Sequence, residues 1–296
     1  MLLLTKIKTK AVFTYTLAKE TILGFLEEKA FFHGAALAYY ALFSLFPLLF
    51  LCVSLLGRYL GEELILKVIN DLLVEKVGLT NVDEILNIVS SYNLDQGSIF
   101  MELIGFIVIL FASSGFLHSL KNSINEFFNI QKIKLKGKKA IKVNVFEKLL
   151  SFLFLAVFAS IFLIVYLFHS FSFTLMHYFF NENSSFLNMI LPILDHALSI
   201  LLNYLIFMLI FKFLHNARVM WKVASMGAIV TSILLYVGQL IIKYYLLNVF
   251  TLGSAGVAGS FFIFLAWVHY SSQIVFVGAK FTYTFSNRIG QPIKLK

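Results

Sequence analysis

The stretch GAALAYYALFSLFPLLFLCVSLL, Gly34 to Leu56, carries no charged side chain. A helix needs about 20 apolar residues to cross the hydrocarbon of a bilayer, and this run supplies them. Five further runs of similar length follow, near 99–120, 149–171, 189–211, 223–242 and 257–279. The whole chain of 296 residues is 60% hydrophobic and 13% charged, with a mean hydropathy of +0.88. Soluble domains are about 45–50% apolar and about 25% charged. Too few charges are present to cover this much apolar surface in water, so lipid is the expected solvent. The 34 Phe suit lipid-facing surfaces and interfacial belts, and the single Cys52 forms no intramolecular disulfide.

The net charge of +9 reports topology. With the N-terminus inside, six crossings also return the C-terminus inside. The inner segments then hold Lys6, Lys8, Lys10, Lys19 and Lys29 before the first crossing. Lys121 to Lys148 lie between crossings two and three, Lys212, Arg218 and Lys222 between four and five, and Lys280, Arg288, Lys294 and Lys296 at the end. That places 20 of the 24 basic residues inside and leaves Arg58, Lys67, Lys76 and Lys243 outside, as the positive-inside rule requires.

These segments define the expected organisation. Residues 1–33 form a cytoplasmic segment whose part from about 11 to 30 is amphipathic and suited to the inner interface. Residues 34–279 form the membrane domain, and 280–296 a cytoplasmic tail. Residues 57–97 make the outer loop, where Leu64, Ile65, Val68, Ile69, Leu72 and Leu73 recur at helical spacing and predict an amphipathic helix over 62–77. A second short helix starts at Asn81. No signal peptide is expected, since Met1–Leu4 is too short an apolar run. The fold class is thus an all-α integral membrane protein: a six-helix bundle, an amphipathic N-terminal helix and a small outer helical cap.

Several motifs then stand in a distinctive order. His33-Gly-Ala-Ala-Leu-Ala-Tyr-Tyr-Ala-Leu-Phe-Ser-Leu-Phe-Pro47 opens the first crossing, and Ala112-Ser-Ser-Gly115 lies in the second. Asn216-Ala-Arg-Val-Met-Trp221 precedes the fifth; Gly253-Ser254 and Phe264-Leu-Ala-Trp-Val-His-Tyr-Ser-Ser, closing on Gly278-Ala279, cover the sixth. In order and spacing, over nearly the whole chain, these resemble the YihY/BrkB family of bacterial inner-membrane proteins, whose members have carried the label ribonuclease BN-like. The resemblance implies a multi-pass protein of the bacterial inner (cytoplasmic) membrane with both termini cytoplasmic. One position departs from the family pattern: Lys280 stands where an acidic residue follows the final Gly-Ala. A role resting on a carboxylate there does not transfer.

Catalytic motifs are missing. Phosphodiester hydrolysis usually needs metal ions held by clustered carboxylates or histidines. The inner segments offer only Glu20, Glu27, Glu28, Glu126 and Glu147, scattered, with His33 and His215 isolated in sequence. No phosphate-binding Gly-Lys loop, Gly-x-Ser-x-Gly elbow or Cys–His cluster occurs. The chain is read as non-enzymatic, without cofactor or metal, and no nucleic acid is expected as a partner.

Polar side chains at membrane depth are costly and tend to face a bundle interior or a wet cavity. Asp195, Ser199 and Asn203 share one helix face, as do His269 and Gln273. Glu102, Gln239 and Lys243 complete a candidate polar pathway. Its plainer reading is an interfacial salt bridge with interhelical hydrogen bonds; its sharper reading is a path opening outward. Gly115, Gly227, Gly253, Gly256 and Gly259 read as helix-packing or hinge positions, and Pro47 as a kink near Tyr39, Tyr40 and Ser44. Lys132, Lys134, Lys136, Lys138, Lys139 and Lys142 suit anionic lipid head groups or a cytoplasmic partner. The lipid bilayer is the expected partner, and a homo-oligomer is left open. Transport of a small solute, ion or lipid without ATP leads the functional readings. A scaffold or envelope-integrity factor comes second, and the ribonuclease label third.

Overall fold

A computed structural model describes residues 2–51, 61–71, 99–130, 185–248 and 256–295, with isolated positions between them. The third expected crossing, the basic run Lys132–Lys142 and Gly253 lie outside the described residues, as do the side chains of Pro47, Glu102, Asp195 and Lys243. The described chain is helical: α1 (Leu2–Glu27), α2 (Ala30–Leu51), α3 (Glu62–Asp71), α4 (Ile99–Phe127), α5 (Ser185–Phe213), α6 (Trp221–Asn248) and α7 (Gly256–Arg288). Two-residue strands β1 (Ala217–Arg218) and β2 (Lys294–Leu295) pair antiparallel, an addition that the hydrophobic pattern did not announce.

Among the described residues, three helical stretches are long and apolar enough to cross a membrane: His196–Phe213, Trp221–Ile242 and Ala258–Arg288. Only 22%, 33% and 39% of their most apolar windows are buried by protein. Large side chains such as Ile233, Leu240, Ile241 and Phe262 are exposed along them. Large apolar side chains exposed in such number are unusual on soluble monomers and normal where acyl chains cover them. This is a membrane protein.

Helix boundaries follow local chemistry. α4 ends in a Schellman arrangement: Ile130 N–H donates to Asn125 O at 2.8 Å and Asn129 N–H to Glu126 O at 2.9 Å, with Asn129 at φ 54°. α7 ends likewise at Gly290, φ 70°, with Gln291 N–H on Ser286 O at 2.9 Å. Asparagine and glycine are the residues that take this left-handed conformation at least cost. α1 starts well before the amphipathic stretch expected from about residue 11, and breaks at Lys29, φ 50°, before α2 begins. α7 runs nine residues beyond Ala279, so most of the expected tail is helix.

The chain divides into two compact units. The first comprises residues 1–28, 124–236 and 274–296. Its interior is aromatic: Phe127 stacks on Phe276 at 4.9 Å between centroids and on Phe25 at 6.4 Å, and Phe128 packs on Phe211. The second comprises residues 29–123 and 237–273. Its core joins Leu45, Leu49 and Val53 to Ile263, Phe264 and Val268, and buries Ile65, Ile69, Leu73 and Val82 of the helical cap. Glu62 and Glu63 occupy the first turn of α3, where the helix dipole favours negative charge. Leu64 is exposed, so the buried stripe of the cap is narrower than the sequence spacing implied.

Candidate functional site

In the second unit, α2 and α7 approach at Gly34, where the missing side chain admits polar groups. A Cβ on Gly34 would overlap the Gln273 amide nitrogen and lie 2.7 Å from Ser272 Oγ and 3.1 Å from His269 Nδ1. Gln273 Nε2 donates to Ala30 O at 3.3 Å and to His269 O at 3.4 Å. Ser272 Oγ donates to His269 O at 2.6 Å, and Phe31 stacks beside the His269 ring at 6.3 Å. Gln273 Oε1 is buried with no hydrogen-bond partner. A buried carbonyl oxygen left unpaired costs about 1–3 kcal/mol, so the cluster holds one free acceptor. His269, Ser272 and Gln273 come together as one turn of α7, at i, i+3 and i+4; Gly34 joins them through the tertiary fold alone.

The other expected pathway residues are not part of this cluster. Gln239 is half-buried on α6 within the same unit. Ser199 and Asn203 are half-buried on α5 and belong to the first unit. Gly115 admits the Tyr40 ring, whose Cδ1 and Cε1 lie 2.7 Å from where its Cβ would be. Gly259 is buried in α7, and Gly256 begins that helix. α2 runs through Pro47 to Leu51, and Tyr39 is exposed.

Sequence inspection missed three pairings. His33, isolated in sequence, meets Ser123: Ser123 Oγ donates to Ser119 O at 2.9 Å, so it accepts from His33 Nδ1–H, also at 2.9 Å. In the first unit the His196 Nδ1 and Tyr236 hydroxyl are 2.5 Å apart. Lys280 is buried, and its Nζ donates to Glu28 Oε1 at 3.2 Å. That ammonium also sits 5.2 Å from the Tyr283 ring centre, and its stem fills the space above Gly24. No local pattern links residues this far apart in the chain.

The Asn216–Trp221 segment is structural. His215 Nδ1 accepts from Ala217 N–H at 3.1 Å, so Nε2 carries the proton and donates to Phe211 O at 2.6 Å. Asn125 Oδ1 accepts Asn216 N–H at 3.0 Å, and Lys212 donates to Val219 O while lying 4.9 Å from the Trp221 ring centre. Ala217 and Arg218 then pair with Leu295 and Lys294. The buried His215 ring thus has both nitrogens partnered within the protein.

At the edge of the first unit, Glu20 and Arg288 form an exposed two-point pair, with Arg288 Nε on Glu20 Oε2 at 3.1 Å. The hydrogen bonds from Arg288 hold the Glu20 carboxyl below its ordinary value. Among the described residues, no group of three His, Cys, Asp or Glu is placed to hold a metal ion.

The family model described as Virulence factor BrkB matches residues 21–296. No curated protein and no solved structure matches the chain.

Proposed function

The chain belongs to the Virulence factor BrkB family of membrane proteins, and we propose that it moves a small solute, an ion or a lipid across the membrane without ATP. The observation that carries this reading is the polar cluster of His269, Ser272 and Gln273 against Gly34, with one buried acceptor left free. It sits on a helix apolar enough to span the bilayer, where an idle polar group is expensive. The topology proposed with it has six crossings of the bacterial inner membrane and both termini in the cytoplasm. The distribution of basic residues supports that count. The chain is proposed to be non-enzymatic, with Lys132–Lys142 resting on anionic head groups.

Purified protein in liposomes, assayed for flux of ions and fluorescent lipids, tests the reading against Gln273→Ala, His269→Ala and Asp195→Asn variants. Flux that falls in the first two, with the fold intact, supports the cluster as part of the path. Flux indifferent to both removes it. A well-folded wild type with no flux favours the second reading, a membrane scaffold. That reading draws on the close interlocking of α6 and α7 in the first unit and on the buried Lys280–Glu28 pair.

A further inference from the structure

The opposite face of α7, within the second unit, carries a different anomaly. Ser260 Oγ, Trp267 Nε1 and Ser271 Oγ are all buried and all without a hydrogen-bond partner. Positions 260, 267 and 271 fall within about 40° of one another around an α-helix, so the three groups form a stripe. His269 and Gln273 project from roughly the other side of the same helix. Ser260 is 2% exposed, and Trp267 packs against the apolar core that contains Ile263, Phe264 and Val268. Serine in a helix ordinarily satisfies its hydroxyl on the carbonyl three or four residues back, as Ser272 and Ser286 do on this helix. Ser260 and Ser271 do not.

Three orphaned buried groups on one stripe need an explanation, because each costs about 1–3 kcal/mol if left dry. The indole N–H only donates, so whatever meets it must accept; the hydroxyls do both. The stripe carries no charged side chain, and an ion beside it would be desolvated without a counter-charge. A neutral molecule that both donates and accepts fits all three groups. The stripe spans about 16 Å along the helix, more than one small molecule can bridge.

We propose that the Ser260–Trp267–Ser271 stripe is a hydrated track interrupted by the buried Phe264, with a separate buried water at each of the three orphaned groups along α7 inside the second unit. The water at Trp267 accepts from the indole N–H, and the waters at Ser260 and Ser271 can both accept from and donate to the hydroxyls. Buried water in proteins is found where polar groups would otherwise go unpaired. The inference stands beside the transport reading and does not require a flux.

Cysteine accessibility tests it. In a Cys52→Ala background, Ser260→Cys and Ser271→Cys are made singly, with Ile263→Cys, buried and apolar on the same helix, as the dry reference. The reconstituted proteins are treated with a small methanethiosulfonate, which reacts with thiolate and hence needs water at the sulfur. Ser260→Cys and Ser271→Cys are expected to label at least about tenfold faster than Ile263→Cys. Equal or slower labelling overturns the track. Ser260→Ala and Ser271→Ala give a second measurement: a hydrated hydroxyl predicts a lower Tm, whereas an unchanged or raised Tm marks a dry orphan and overturns the proposal. Fast labelling without any flux keeps the track and discards transport. Flux through a protein whose cysteines stay unlabelled does the reverse.

Discussion

Thr231 occupies the space that a Cβ on Gly278 would need, and one turn along each helix Thr282 does the same to Gly227. Both threonines return their hydroxyls to those glycines' own turns: Thr231 Oγ1 donates to Gly227 O and Thr282 Oγ1 to Gly278 O, each at 2.7 Å. The hydroxyls are therefore satisfied within their own helices, leaving the side chains free to act as knobs. Ala224, Ala228 and Ala279, fully buried beside them, keep the backbones close. In lipid no hydrophobic force drives helices together, so such contact is the main source of their association.

Gly278→Ala and Gly227→Ala are expected to destabilise the protein by about 1–3 kcal/mol each, since the new methyl meets a β-branched side chain that cannot swing aside. Thr231→Ala added to Gly278→Ala should recover part of that loss. Thermal unfolding in detergent of the two single variants and the double variant measures the coupling. Simple additivity would show that the helices separate freely at this point.

Lys280 and Glu28 predict a charge-reversal result. Lys280→Glu alone places two carboxylates in a largely buried site and should cost about 3–5 kcal/mol, the usual penalty for leaving a buried charge unpaired. Glu28→Lys combined with Lys280→Glu restores opposite charges and should return most of the stability. Expression level and Tm report this. A double variant as unstable as the single one would mean that the lysine stem over Gly24, and not the ion pair, fixes the position.

Gly34→Ala should separate packing from function. The nearest atom in the way is the end of the flexible Gln273 side chain, which can turn aside, and Ser272 Oγ at 2.7 Å must give as well, so the fold should survive at some cost in stability. That movement breaks the Gln273 contact with Ala30 O, and any flux should fall to the level of Gln273→Ala. A normal flux in Gly34→Ala would separate the cluster from transport.

Glu20 gives the pH dependence. Its carboxyl is held below the ordinary value of 4.5 by hydrogen bonds from Arg288, so folding favours its charged form. The sign follows: the contribution is present above 4.5 and is lost as pH falls through the lowered folded value. The pair is exposed and screened by salt, so the effect is small. Wild type and Glu20→Gln should differ slightly in Tm at neutral pH and low salt, and converge in acid. A difference that grows below pH 4.5 would contradict the assignment.

Legibility differed from residue to residue for physical reasons. His269 and Gln273 were found together because i, i+4 spacing on a helix is a local fact. Gly227, with no side chain, reads in the sequence as a packing or hinge position, but nothing in the sequence points to Thr282 as its neighbour, because which helix lies opposite depends on the whole fold. In the helical cap Leu64, Ile65 and Ile69 all belong to the apolar residues at helical spacing, yet Ile65 and Ile69 are buried and Leu64 is exposed. Spacing marks a stripe but not its width, which the facing residues set. The orphaned Ser260, Trp267 and Ser271 left no trace in the pattern, since an unmade hydrogen bond is a property of surroundings.

By itself the sequence determined that this chain lives in lipid, is helical, and belongs to its family, because hydropathy and motif order are summed along the chain and need no knowledge of neighbours. The tertiary structure alone decided that Lys280 meets Glu28, 252 residues away, that His33 meets Ser123, and that the Asn216–Trp221 segment is locked to the chain's last residues. Close-range polar contacts fall off within a few ångströms, so only the packing of the helices can say which of them are made.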